Sequence, residues 1–154
     1  MAMVLRDGAV VDEPWPVPGD GAAGEVAGAL TVAQWLEADC PAGATLQLEP
    51  GDDCDALLPR APELARVAVH FADFMDGRGF SYARKLREAG FPGELRARGE
   101  LLPDQAHYLR RCGFNALEFA DPERLAQAEA RLAVFSTGYQ GAVDQPLPLF
   151  RRRA

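Results

Sequence analysis

The sequence predicts an α/β fold: a small open or half-barrel-like parallel sheet of about four strands built from repeated βα units. Three observations predict it. β-prone runs and helical patterns alternate three times between Arg66 and Phe135, the connections between them are short, and Arg66–Phe71 (RVAVHF) is a nearly continuous β-prone run. Such a run is expected of a strand covered on both faces. Strand–helix–strand repeats imply right-handed crossovers and therefore parallel pairing. A closed eight-stranded barrel takes about 250 residues, so this sheet stays open or curves like half a barrel.

Residues 1–30 read as an irregular lead-in, with a short hairpin around Asp7-Gly8. Prolines at 14, 16 and 18 follow, and Gly19, Gly21 and Gly24 match GxGxxG. That dinucleotide fingerprint needs a strand directly before it, which the prolines forbid, so the match is accidental. Residues 31–140 form the single α/β domain. Thr31 and Gln34 have capping-box spacing for a helix whose apolar face is Val32, Trp35 and Leu36, ended by Pro41 and Gly43. Thr45–Glu49 is a strand, and Asp52 or Asp53 caps a short helix over Asp55–Leu58, stopped by Pro59.

After the strand Arg66–Phe71, a helix over Ser81–Ala89 ends at Gly90. In the strand Gly93–Arg98, Leu95 and Ala97 face one side and Arg96 and Arg98 the other. Pro103 opens a helix that stops at Gly113. Ala116–Phe119 is the last strand, and Asp121-Pro122-Glu123 starts a helix with Leu125, Ala128, Leu132 and Phe135 as its buried stripe. Residues 141–154 are a tail, anchored by Phe150.

Composition narrows the function classes. The chain has 154 residues, 48 % apolar and 25 % charged, enough for one ordinary domain with its own core. No apolar run is long enough to cross a membrane and no secretory signal is visible, so a cytoplasmic location is expected. Three cysteines without CxxC spacing and two separated histidines offer no self-contained metal or cluster site. The net charge of −7 hides an asymmetry: residues 1–77 carry 3 basic and 14 acidic side chains, residues 78–111 carry 8 and 4. An acidic body is a poor nucleic-acid binder, whereas a local basic block suits a small anion or an acidic protein.

Ligands of open parallel sheets gather beyond the carboxyl ends of the strands. The loop there richest in chemistry is Ala72–Gly79. Gly77, Arg78, Gly79 and Ser81 at a helix start, with Arg96 and Arg98 on the neighbouring strand, are the candidate oxyanion site. The competing reading is a tight turn with Arg78 paired to Asp73 or Asp76. Those two aspartates are the weak catalytic candidates. His70 is expected to be a hydrogen-bonded core histidine, His107 a packing or surface residue, and Cys112 an unreactive thiol at a helix end. Arg84, Lys85 and Arg87 are candidate partner-docking residues, or else a solvated helix face.

The runs Asp76–Arg84 (DGRGFSYAR), Gly93–Gly99 (GELRARG), Asp104-Gln105 and Arg111–Phe114 (RCGF) resemble, in order and spacing, the bacterial family known as domain of unknown function 934. The resemblance covers roughly residues 66–140 and the closing Pro-Leu-Phe-Arg segment. Such proteins are encoded beside a sulfite reductase haemoprotein and are labelled oxidoreductases for that reason. The resemblance therefore implies an accessory protein of assimilatory sulfite reduction that docks to the haemoprotein or assists electron delivery. The chain itself shows no cluster, flavin, nicotinamide or haem motif, and no cofactor is expected. Two other readings stand beside this one: a small enzyme acting on an anionic substrate, and a structural or regulatory partner with no ligand.

Overall fold

The structure is a computed structural model and describes residues 3–16, 28–134, 142, 146 and 147. At the N-terminus, β1 (Met3–Arg6) and β2 (Ala9–Asp12) form the expected hairpin. Its two-residue turn takes positive φ at both positions, 50° at Asp7 and 85° at Gly8. An Asp-Gly pair accommodates that conformation at low cost. The accidental GxGxxG match and Phe135 and Phe150 lie outside the described residues.

The next strands are β3 (Leu30–Thr31), β4 (Thr45–Leu48), β5 (Arg66–Phe71), β6 (Glu94–Gly99) and β7 (Ala116–Phe119). These five pair in parallel in the order in which the chain makes them, and β1 adds antiparallel to the free side of β7. The sheet thus has seven strands rather than about four, and it is mixed. The undercount has two causes. β3 is only two residues long, and the hairpin is no detached lead-in: Val4 and Leu5 are buried on opposite faces of the main sheet.

Between the strands lie α1 (Val32–Glu37), α2 (Arg78–Glu88) and α3 (Ala106–Cys112), and α4 (Pro122–Val134) follows β7. Thr31 and Gln34 form the reciprocal capping box, but Leu36 remains 46 % exposed while Val32 and Trp35 are buried. The short helix expected over Asp55–Leu58 is instead a 3-10 helix over Cys54–Glu63, carrying Pro59 and Pro62 inside it. Successive 3-10 turns tolerate prolines that an α-helix would not. Another 3-10 turn, Pro103–Gln105, leads into α3. The Asp121 carboxylate accepts from the Glu123 amide at the start of α4, as its sequence predicts.

Strand order has one large consequence. Right-handed crossovers that always step to the same side put every connecting helix on the same face. That face holds the core: Leu46, Leu48, Val67, Val69, Phe71, Leu95 and Leu117 pack under Trp35, Leu57, Ala83, Leu86, Leu109 and Leu125. The other face has no helix among the described residues. β5 is therefore not sandwiched between helices as its composition suggests. Only Ala68 on its second face is fully buried, packed with Trp15 and Ala29.

Candidate functional site

The loop between β5 and α2 is a built turn. Asp73 accepts from the Met75 amide at 2.8 Å, and its carbonyl accepts from the Asp76 amide at 3.0 Å. Asp76 accepts from the Arg78 amide and, in a two-pronged pair, from Arg78 Nε and Nη2 at 3.0 and 2.7 Å. Those side-chain and backbone hydrogen bonds from Arg78 hold the Asp76 carboxyl down at about 2. Gly79 is required because a Cβ there would stand 2.5 Å from Cζ of Phe71. Gln105 reaches across from the start of α3 and donates to the Phe74 carbonyl at 2.8 Å. The residues Asp73 and Asp76 thus serve as turn makers, and Arg78 is engaged by its neighbour.

The structure does not bring the six predicted anion-site residues together. Gly77, Arg78, Gly79 and Ser81 begin α2 on the helix-covered side. Arg96 and Arg98 project from β6 to the other side, because their neighbours Leu95 and Ala97 occupy the core. Of the predicted docking residues, Arg84 pairs with Glu88 and Lys85 with Asp55, both exposed. Arg87 does not serve as a surface cation. It donates to the carbonyls of Gly113, Phe91 and Gly93, each at 2.9 Å, and lies over the Phe91 ring. Burial pulls its guanidinium below the ordinary arginine range.

The helix-free face holds the densest polar chemistry. Alternation on three neighbouring parallel strands points Gln47, Arg66, His70, Glu94, Arg96 and Arg98 the same way, with Glu118, Arg6 and Glu13 beside them. These groups form one chain of hydrogen bonds. His70 Nδ1 meets Glu49 Oε2 at 2.6 Å, and Gln47 donates to Glu49 Oε1 at 2.7 Å. Arg98 donates to Gln47 at 2.7 Å and to Glu118 at 3.1 Å. Arg96 donates to Glu118 at 3.0 Å and to Glu94 at 2.7 Å. Arg6 bridges Glu94 and Glu13.

Arg96 is completely buried, and the indole of Trp15 roofs it. The guanidinium carbons of Arg66 and Arg96 lie 4.7 and 5.0 Å from that ring's centroid. Arg96 Nη2 and Trp15 Nε1 are buried without hydrogen-bond partners among the described residues. Burial by itself would raise the Glu94 carboxyl, but hydrogen bonds from Arg6 and Arg96, with the charge of Arg66, outweigh it and hold it below its usual value.

The network opens to solvent at both ends, around Arg6 and Glu13 on one side and at the carboxyl ends of β4, β5 and β6 on the other. At the carboxyl ends His70 and Glu49 keep 38 % and 44 % of their side-chain surface exposed, and Arg98 keeps 25 %. Gly99, at φ 95°, lies under the His70 ring: a Cβ at that position would stand 2.8 Å from Cδ2 and 3.0 Å from Nε2. His70 is thus not a core histidine. Its Nδ1 is occupied by a carboxylate, which orients the ring and leaves Nε2 for chemistry. Glu49, Gln47 and Glu118 escaped notice in the sequence because each is unremarkable alone. Their signal is that polar positions on adjacent strands fall in the same register.

Elsewhere, burial pushes the Cys54 thiol up to about 11, and its Sγ faces the Tyr82 carbonyl at 3.9 Å. Among the described residues no three His, Cys, Asp or Glu side chains are grouped to hold a metal ion. No helix is long and apolar enough to cross a membrane among the described residues.

Neither the curated proteins nor the solved structures include a match to this chain. A family model described as "Bacterial protein of unknown function (DUF934)" matches residues 45–150. That span runs from β4 to α4 and takes in most of the core and the polar residues of β5 and β6. The chain belongs to the DUF934 family of bacterial proteins.

Proposed function

We propose that this protein is an accessory factor of assimilatory sulfite reduction that supports a sulfite reductase haemoprotein by docking to it. The sulfite-reduction context comes from the resemblance described above. The observation that carries docking is the loop Phe74–Met75. Phe74 is 43 % and Met75 79 % exposed, yet the backbone beneath them is tied down by Asp73 and Gln105. A loop that only connects a strand to a helix gains nothing from two large apolar side chains held out in water. A preordered apolar contact is what a protein partner uses. Tyr108, 58 % exposed and packed on Phe80 at 4.9 Å between ring centroids, extends the same end of the molecule. The helix that follows the loop, α2, carries the exposed, ion-paired Arg84 and Lys85, so moderate weakening by salt is expected.

The test is growth of a deletion strain on sulfate, sulfite, sulfide or cysteine as sole sulfur source, complemented with wild type or with Phe74→Ser/Met75→Ser. Growth lost on sulfate and sulfite only, restored by wild type and not by a folded double variant, is the expected result. Equal growth on all four sources, in a strain without a second copy of the gene, overturns the reading.

A further inference from the structure

The helix-free face is neutral by construction, and one side chain decides when it is not. Four arginines (Arg6, Arg66, Arg96, Arg98) stand against four glutamates (Glu13, Glu49, Glu94, Glu118) in one connected network. His70 is the remaining titratable member, joined through Glu49. The groups that face it are Glu49 beyond β4, Arg98 across the register on β6, and Gln47 between them; Arg66 and Phe71 lie on its own strand. Asp52 accepts from the Glu49 amide and completes the surroundings. Imidazole is the side chain that changes charge between about pH 5 and 8. Protonating His70 therefore adds one positive charge to a balanced network, at an end of it that is open to solvent and lies beside the Asp52 carboxylate.

We infer that His70 and Arg98 form a binding site for a small oxyanion, and that each anion bound carries one proton onto His70. Glu49 holds Nδ1, so the second N–H of the imidazolium, on Nε2, is the donor left for the anion. Arg98 uses Nε on Glu118 and Nη1 on Gln47, and its Nη2 has no hydrogen-bond partner among the described residues. A forked guanidinium with one free arm beside an imidazolium is a donor set for two oxygens of sulfate, sulfite, phosphate or a carboxylate. Gly99 belongs to the site because no other residue lets the His70 ring rest so close to the backbone. The site lies on the opposite side of the sheet from the turn Asp76–Gly79 and does not depend on the docking surface.

Sulfate is the sharpest probe, because its own charge is constant across this pH range. With only two histidines in the chain, the imidazole signals of full-length, uniformly labelled protein are assigned by comparing wild type with His70→Gln. At fixed ionic strength, sulfate is expected to shift the His70 signal saturably at pH 5.5 and to leave His107 in place. Coupling to one bound proton makes the affinity fall about tenfold for each pH unit on the alkaline side of the binding profile. His70→Gln should remove the pH dependence. Arg98→Lys should weaken binding about tenfold while keeping the charge. Glu49→Gln should keep binding but move its pH dependence to lower pH, since the imidazolium loses its carboxylate; a purely structural role for Glu49 would not move that profile. A His70 signal that does not saturate, a shift shared equally with His107, or unchanged pH dependence in folded His70→Gln would overturn the inference.

Discussion

The two faces of the sheet are solved by opposite chemistry. On the helix side, the β-strands contribute aliphatic and aromatic side chains that need only volume and exclusion from water. On the other side the same strands contribute ions. Arg96 is as deeply buried as Leu95 beside it, yet its stability depends on Glu94, Glu118 and the Glu13 carbonyl all being in place. A dispersed apolar core loses a contact in proportion to the atoms removed. An ionic network loses more when a buried member goes, because one charge among its partners is left uncompensated.

That contrast is broken most directly at Arg96. Arg96→Met should destabilise the fold by about 3–5 kcal/mol. Removing the one uncompensated carboxylate as well, in Arg96→Met/Glu118→Gln, should recover part of that loss; urea midpoints that simply add would contradict the network. On the helix side, Leu95→Ala should cost about 3 kcal/mol with no recovery available from neighbouring substitutions.

Acid sharpens the same comparison. The folded Glu94 carboxyl sits below its unfolded value, so its contribution is complete above the unfolded range and drains away as pH falls through the folded one. Urea midpoints should decline below about pH 5 by less in Glu94→Gln than in wild type, from a lower starting point. Asp76 follows the same sign, its stabilisation present above its unfolded range near 4 and lost as pH falls toward about 2. With its Arg78 partner exposed and solvent-screened, the Asp76–Arg78 pair should show the smallest effect: Asp76→Asn should shift the midpoint least of these variants.

Much of the helix side was legible. The alternation in Leu95-Arg96-Ala97-Arg98, the Thr31–Gln34 box and the Asp121-Pro122 start all act within a few residues, so local sequence contains their cause. The site was less legible. Arg96 and Arg98 were visible as a pair pointing away from the core, but what they meet depends on strand order. Glu118 and Gln47 lie 20 and 51 residues from Arg98 along the chain. Arg87 looks like any helix-surface cation until the loops supplying its three carbonyls are seen. The hairpin was expected, but its attachment to β7 has no local signal.

That attachment also bears on how the protein is made. Met3 pairs with Phe119, and Arg6 reaches Glu94. β1 has β2 beside it at once, but its other edge must wait for β7, the last of the described strands, to be made. The parallel strands β4 to β7 can assemble progressively as each βα unit emerges, whereas closing the β1 edge means ordering one long loop late. Until then the hairpin and the outer side of β7 both present unpaired backbone, a transient stickiness that lasts until β1 and β7 meet.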